Sequence, residues 1–401
     1  MGLYKTPGVH IESAGERFRP LTEVPMGTCA FLGRTASGEP HKPVKVDSFE
    51  RFAAVFGNDG GVTAQAVRGF FENGGSVAYV VNVNPDDGRA LGPDDFIGAK
   101  GERGLRTLER VEDVDLVVAP DLMACYQKEL GFESLDALHA VQRAMVDHCE
   151  RMHDRFAILD APPKLDLDAA VAWRQRFDTS YAALYYPWII TRVGEEAAPP
   201  IPPSGHVAGL FARVDGETGV HRAPANLPLQ GIVDVDTFVH KRERDYLFDH
   251  RINAIHAFPA RGLRVWGSRT LSSDRAFTHV NVRRLFIMLR KSIELFAQWV
   301  VFEPNGHDLW KTLTRAVEAF LYQQYKRGAI VGSTPEEAYY VKCDEETNPP
   351  EARDAGELII EVGVSPVKPA EFIVVRIHQW TREASPEKTE AAAGAAVGSP
   401  G

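Results

Sequence analysis

Apolar positions along this chain fall into short compact runs and longer stripes of helical spacing. Compact runs lie at 26–33, 76–84, 116–119, 156–159 and 182–189. Runs of this length, bounded by Gly, Pro or Asp, predict buried strands. Between them, 48–56, 61–71, 134–153 and 166–177 carry apolar residues three and four apart. In 134–153, Leu135, Leu138, Val141, Met145 and Cys149 form one stripe, which predicts an amphipathic helix. Asp47 stands where a cap for the first of these helices is expected. Strands alternating with helices predict an α/β domain with a partly parallel sheet.

The second half reads differently. Residues 195–203 are rich in Pro and Ala and predict a loop. Residues 280–301 form a long helix, apolar around most of its circumference, which calls for burial between layers or at an interface. A second helix at 307–328 turns Trp310, Leu313, Val317, Phe320 and Leu321 inward, with Gly328 as its stop. Strands are expected at 358–364 and 372–377. In the latter, Phe372 and Val374 face one way, while Ile373, Val375 and Ile377 face the other. Apolar faces on both sides mean burial on both sides, although this strand lies near the chain end. At the other end, 1–24 carries only Val9 and Ile11 in alternation and is punctuated by Gly8, Gly15 and Pro20. Such an arm cannot bury a core alone and suits adding a strand to another sheet. Residues 384–401, rich in Ala, Gly, Ser, Pro and Glu, predict a disordered tail.

A length of 401 residues points to two domains. No apolar run approaches the roughly 20 residues that span a bilayer, and no basic-then-apolar leader opens the chain, so synthesis in the cytosol is expected. The four cysteines, Cys29, Cys125, Cys149 and Cys343, form no C-x-x-C pair and read as reduced, buried thiols. The net charge of −10 is unevenly spread. Between residues 251 and 291, nine basic residues face a single acid, Asp274. That stretch suggests a basic face for an acidic partner, a protein surface in preference to nucleic acid. Its aromatics are few, and Phe286 belongs to a helix's apolar face.

Candidate chemistry is sparse. There is no G-x-S-x-G, no phosphate loop, no dinucleotide fingerprint and no H-E-x-x-H, so neither catalysis nor a cofactor is expected. His148 and His153 lie five apart on one helix, which sends their imidazoles to different faces and argues against a metal site with Cys149. Asp160 ends an apolar run, where α/β enzymes place catalytic carboxylates; the plainer reading is a turn Asp before Pro162. The acidic group at 343–346 reads as a solvated turn.

Several blocks nevertheless agree with one family in order and spacing: TPGVHIES (6–13), GHVAGLFARVD (205–215), GVHRAPAN (219–226), GLRVWGSRTL (262–271), VNVRRLFI (280–287), QWVVFEPN (298–305), VKCDEETNPP (341–350) and VSPVKPAEFI (364–373). Together they resemble the sheath protein of contractile phage tails and phage-tail-like injection systems. The resemblance implies a structural subunit, stacked in six-fold rings around an inner tube and contracting to drive it. Its partners would be further copies of itself, the inner tube protein, and baseplate and terminator proteins, with no nucleic acid and no membrane insertion. The chain would be cytoplasmic on synthesis and assembled into a phage-tail-like particle, cytosolic or released. The implied organisation is an N-terminal arm at 1–24, an outer α/β domain at 25–248, an inner domain at 249–384, and a tail at 385–401. The inner sheet would be completed by strands from neighbouring subunits, matched here by Val9, His10 and Ile11 and by Phe372, Val374, Val375 and Ile377. Arg283, Arg284, Arg290 and Lys291 are the expected inner-tube contacts, with Lys311 and Arg315 next. The competing reading is an α/β hydrolase or transferase acting on an acidic substrate through Asp160 and the basic cluster.

Overall fold

The computed structural model describes residues 20–371, apart from 88, 99–100, 130 and 194–195. The expected donated strands, with Val9, His10, Ile11, Phe372, Val374, Val375 and Ile377, lie outside the described residues.

Strands in chain order are β1 (Cys29–Gly33), β2 (Val44–Val46), β3 (Ala78–Asn82), β4 (Leu116–Val118), β5 (Phe156–Asp160), β6 (Ala182–Tyr186), β7 (Ile189–Val193), β8 (Glu196–Ala197), β9 (Leu227–Pro228), β10 (Ile232–Val235), β11 (Ile252–Phe258), β12 (Gly262–Trp266), β13 (Tyr339–Lys342) and β14 (Glu361–Val364). The helices include α1 (Phe49–Phe56), α2 (Val62–Glu72), α3 (Pro93–Ile97), α4 (Pro120–Ala124), α5 (Leu135–Met152), α6 (Leu167–Arg174), α7 (Ser204–Glu217), α8 (Lys241–Asp249), α9 (Val280–Ala297) and α10 (His307–Lys326).

Among the described residues, nine strands make one sheet in the order β2-β3-β1-β4-β5-β6-β11-β12-β9. From β3 to β11 neighbours run parallel; β2, β12 and β9 pair antiparallel at the flanks. Parallel strands are buried on both faces. Alternation along β1 shows it: Ala30 and Leu32 enter one core with α5 and α6, while Cys29 and Phe31 enter the other with α1, α2 and α7. The expected α/β architecture is therefore present. The run 182–189 is two strands, because Pro187 lacks the amide that a continuous ladder needs. β11 and β12 carry the sheet past residue 249, where the sequence placed the start of the inner domain. Ile252 to Ala254 pair with Leu184 to Tyr186 of β6.

One local expectation changes. The cap of α1 is Ser48, whose side chain accepts from the Arg51 amide; Asp47 is one residue too early. The block at 205–215 is helix α7, whose glycines let it lie against α2: a Cβ on Gly209 would sit 2.3 Å from the Phe70 carbonyl oxygen.

C-terminal to the sheet, α9 is buried around most of its first three turns, as its sequence predicted. Val280 and Ile287 enter the sheet-side core, while Leu285, Met288 and Leu289 pack with Val317, Phe320 and Leu321 of α10. β13 and β14 form a separate antiparallel pair against that second cluster. Among the described residues, no helix is long and apolar enough to cross a membrane.

Candidate assembly surfaces

The C-terminal helices are bolted to the sheet layer by charge. Arg284 on α9 makes a bidentate contact with Asp215 at the end of α7, at 2.8 and 2.6 Å. Two turns on, Lys291 holds Asp115 at 2.7 Å and the Val114 carbonyl at 3.3 Å, just before β4. Asp115 also accepts from the Thr28 amide at 2.9 Å, tying in the approach to β1. Burial raises the carboxyl pKa of both Asp215 and Asp115, and the facing cation pulls each back toward the charged form.

This geometry narrows the expected tube contacts. Arg284 is buried against Asp215, so it has no surface to offer. Lys291 is largely buried against Asp115. Arg283 is half-buried, its guanidinium 3.7 Å from the Phe277 ring centroid and 4.4 Å from that of Tyr181. Arg290 alone of the four is exposed, 3.8 Å from Glu294 on its own helix. Helical periodicity placed the four side chains on α9; the acids that meet Arg284 and Lys291 came from segments far away in sequence. On α10, by contrast, Lys311, Arg315 and Lys326 lie on the exposed side.

The root of the N-terminal arm is anchored at the same place. Leu21, Val24 and Met26 pack on the α9–α10 cluster, which also receives Tyr339, Val341, Val362 and Val364 of the β13–β14 pair. The Val24 amide donates to Ser292 Oγ at 3.1 Å, and Glu23 accepts from Arg327 and Gln324. Asn348 closes the loop between β13 and β14, donating to Ile359 O at 3.0 Å and accepting from Ile359 N at 2.7 Å. In that loop Asp344 Oδ1 accepts the amides of Glu346 and Thr347, so the acidic group at 343–346 is a self-closed turn. Among the described residues the pair has two strands only, leaving one edge of each without a partner strand.

The catalytic candidates lie elsewhere. Asp160 ends β5 beneath the first turn of α7, accepting from Ser204 N at 2.9 Å and Ser204 Oγ at 2.6 Å. Burial pushes its carboxyl pKa up to about 7, against the pull of those two hydrogen bonds. Both oxygens are engaged and the residue is 2% exposed, so it joins β5 to α7 and faces no substrate. His148 and Cys149 point into the core from α5, whereas His153 caps that helix outside, its ring nitrogen 3.1 Å from Tyr181 Oη. Burial and the neighbouring Arg155 push the His148 pKa down to about 3.

A covered α/β sheet is charge-locked to a helical layer that carries, among the described residues, a two-stranded antiparallel pair. Residues 112–271 match the phage tail sheath protein central domain, and residues 272–379 match the phage tail sheath C-terminal domain. Over 369 residues the chain is 27% identical to the putative prophage major tail sheath protein of Pseudomonas aeruginosa (strain UCBPP-PA14), covering 89% of this chain and 92% of that protein. It is 22% identical to the tail sheath protein of Escherichia phage P2, covering 84% of each. Among solved structures, it resembles the contracted helical sheath of the anti-feeding prophage, at a TM-score of 0.76 and 28% identity, over 94% of this chain and 100% of that one. The contracted sheath complex of the extracellular contractile injection system PVC matches at 0.75 and 26%, over 96% and 100%. The chain belongs to the phage tail sheath family. It is a contractile tail sheath protein, and the hydrolase or transferase alternative finds no support.

Proposed function

We propose that this subunit polymerises as stacked six-fold rings around an inner tube, held by exchanged strands, and that contraction of the stack drives the tube. The observation that carries the reading is the β13–β14 pair. Among the described residues one edge of each strand has no partner strand, which supports two incoming strands. The arm segment at 9–11 and the segment at 372–377 are the proposed donors, each entering a neighbouring copy. Strand addition satisfies a row of backbone groups and shields a sheet edge. Because donor and acceptor are different surfaces, the contact propagates without closing.

The joint at α9 supports a route for force. A pull on the arm reaches Leu21 and Val24, then α9 and α10, then the sheet through Arg284–Asp215 and Lys291–Asp115. For the tube, we favour the exposed basic side of α10, with Lys311 and Arg315 foremost, and then the exposed Arg290 of α9. Exposed cations make salt-screened pairs that can release during sliding. Likeness to a chain of the anti-feeding prophage baseplate structure, at 27% identity, supports association with a baseplate.

The test is deletion of residues 1–15. The truncated chain is expected to keep its circular dichroism and melting transition yet form no tubes or rings by negative-stain microscopy and sedimentation. Long tubes from the truncated chain overturn strand exchange by the arm.

A further inference from the structure

Two exposed surfaces remain that neither strand exchange nor the tube explains. The first is a knuckle after α9. Leu295, Trp299, Val301 and Phe302 all stand exposed within eight residues, and Phe302 is fully so. Phe302 also sits at φ 75°, a backbone region that bulky side chains avoid. An apolar cluster in a sparsely populated conformation marks a contact site. Glu294 and Glu303 flank it, both exposed.

The second surface is an aromatic row across β11 and β12. Phe238 stands 5.4 Å from His256, His256 4.8 Å from Phe258, and Phe258 4.6 Å from Trp266, ring to ring. Phe238 and Trp266 are exposed. Arg261 lies over Phe258 at 5.5 Å, and Arg264 bonds the Asn226 carbonyl at 2.6 Å. Neither arginine pairs with a carboxylate among the described residues.

These are two different surfaces of the subunit. The knuckle follows α9, whose Lys291 meets Asp115 just before β4. The row spans the β11–β12 flank, from Trp266, opposite Ala254, to Phe258 at the carboxyl end of β11. One surface is apolar with acidic flanks, of which Glu294 also lies near Arg290; the other is aromatic, with Arg244 and Arg261 over Phe258 and with Arg242 and Glu243 beside Phe238.

We propose that the knuckle at 295–302 of one copy docks, head to tail, on the aromatic–arginine row of the next. Charge complementarity selects a second copy of this chain as the occupant. The inner tube is the poorer occupant, because an apolar anchor neither weakens with salt nor slides. A contact between two different surfaces repeats without closing, as a helical stack requires. The proposal rests on the sheath reading but uses none of the exchanged strands.

The experiment has two arms. All four native cysteines are buried, so new surface cysteines react alone. Particles assembled from a mixture of Phe302→Cys and Trp266→Cys subunits are expected to give a covalent dimer with a short bis-maleimide, and neither variant alone to do so. In the second arm, Arg261→Glu with Arg264→Glu should raise the critical concentration for tube-free assembly about tenfold, as should Glu294→Lys with Glu303→Lys. All four changes in one chain should restore it to within about threefold. Absence of the crosslinked dimer, unchanged assembly of either double variant, or failure of the quadruple variant to recover overturns the docking. So does a Phe302→Ser variant that assembles normally but no longer binds the tube. If the deletion of 1–15 abolishes assembly while these variants behave as wild type, the sheath reading stands and the docking falls.

Discussion

Arg284 and Asp215, 69 positions apart in the chain, face each other through two hydrogen bonds of 2.8 and 2.6 Å, each side chain only 2% exposed. Pairs in such an environment stabilise little against apolar substitutes, but losing one member strands a buried charge. Arg284→Met should therefore cost about 3–5 kcal/mol in unfolding free energy. Arg284→Met combined with Asp215→Leu should recover much of that loss. Urea unfolding of the single and double variants measures both, and an additive double variant contradicts the pairing.

Asp160 makes stability depend on pH in a definite direction. Its folded carboxyl titrates near 7, whereas an unfolded aspartate titrates near 3.9. The folded state thus holds the extra proton between those values, and the stabilisation is complete below about pH 4 and lost as pH rises through about 7. Wild type should lose roughly 2–4 kcal/mol relative to Asp160→Asn between pH 5 and pH 8. Denaturant midpoints of both proteins at the two pH values test this, and parallel profiles count against it.

Helix α7 lies on α2 through small residues. A methyl group on Gly209 would meet the Phe70 carbonyl oxygen at 2.3 Å, and one on Gly205 would meet the Ala66 carbonyl at 2.5 Å. Backbone atoms do not yield as a side-chain tip does. Gly209→Ala should destabilise by about 1–3 kcal/mol despite its better helix propensity. A thermal midpoint at or above wild type would show that the helices can part without cost.

Lys311→Glu with Arg315→Glu should weaken co-sedimentation with the inner tube protein while changing unfolding free energy by less than about 0.5 kcal/mol. Wild-type binding should also fall steeply with added salt. Tube binding that ignores both the charge reversal and salt removes α10 from that contact.

The alternation of short apolar runs with helical stripes already pointed to an α/β domain with a partly parallel sheet and to the two long C-terminal helices. These patterns are local: one residue in two, or one in 3.6, reports which face is buried. The blocks at 205–215, 262–271 and 280–287 likewise carried the family in their order. What the linear pattern left open was the destination of each polar side chain. Arg283, Arg284, Arg290 and Lys291 sit within three turns of one helix, yet two of them meet acids on distant segments, one lies between aromatic rings and one faces water. Asp160 took its role from Ser204, 44 residues on. The β11–β12 aromatic row likewise exists only once both strands pair. Partners brought together across tens of residues are chosen by packing of whole layers, which no short-range period encodes.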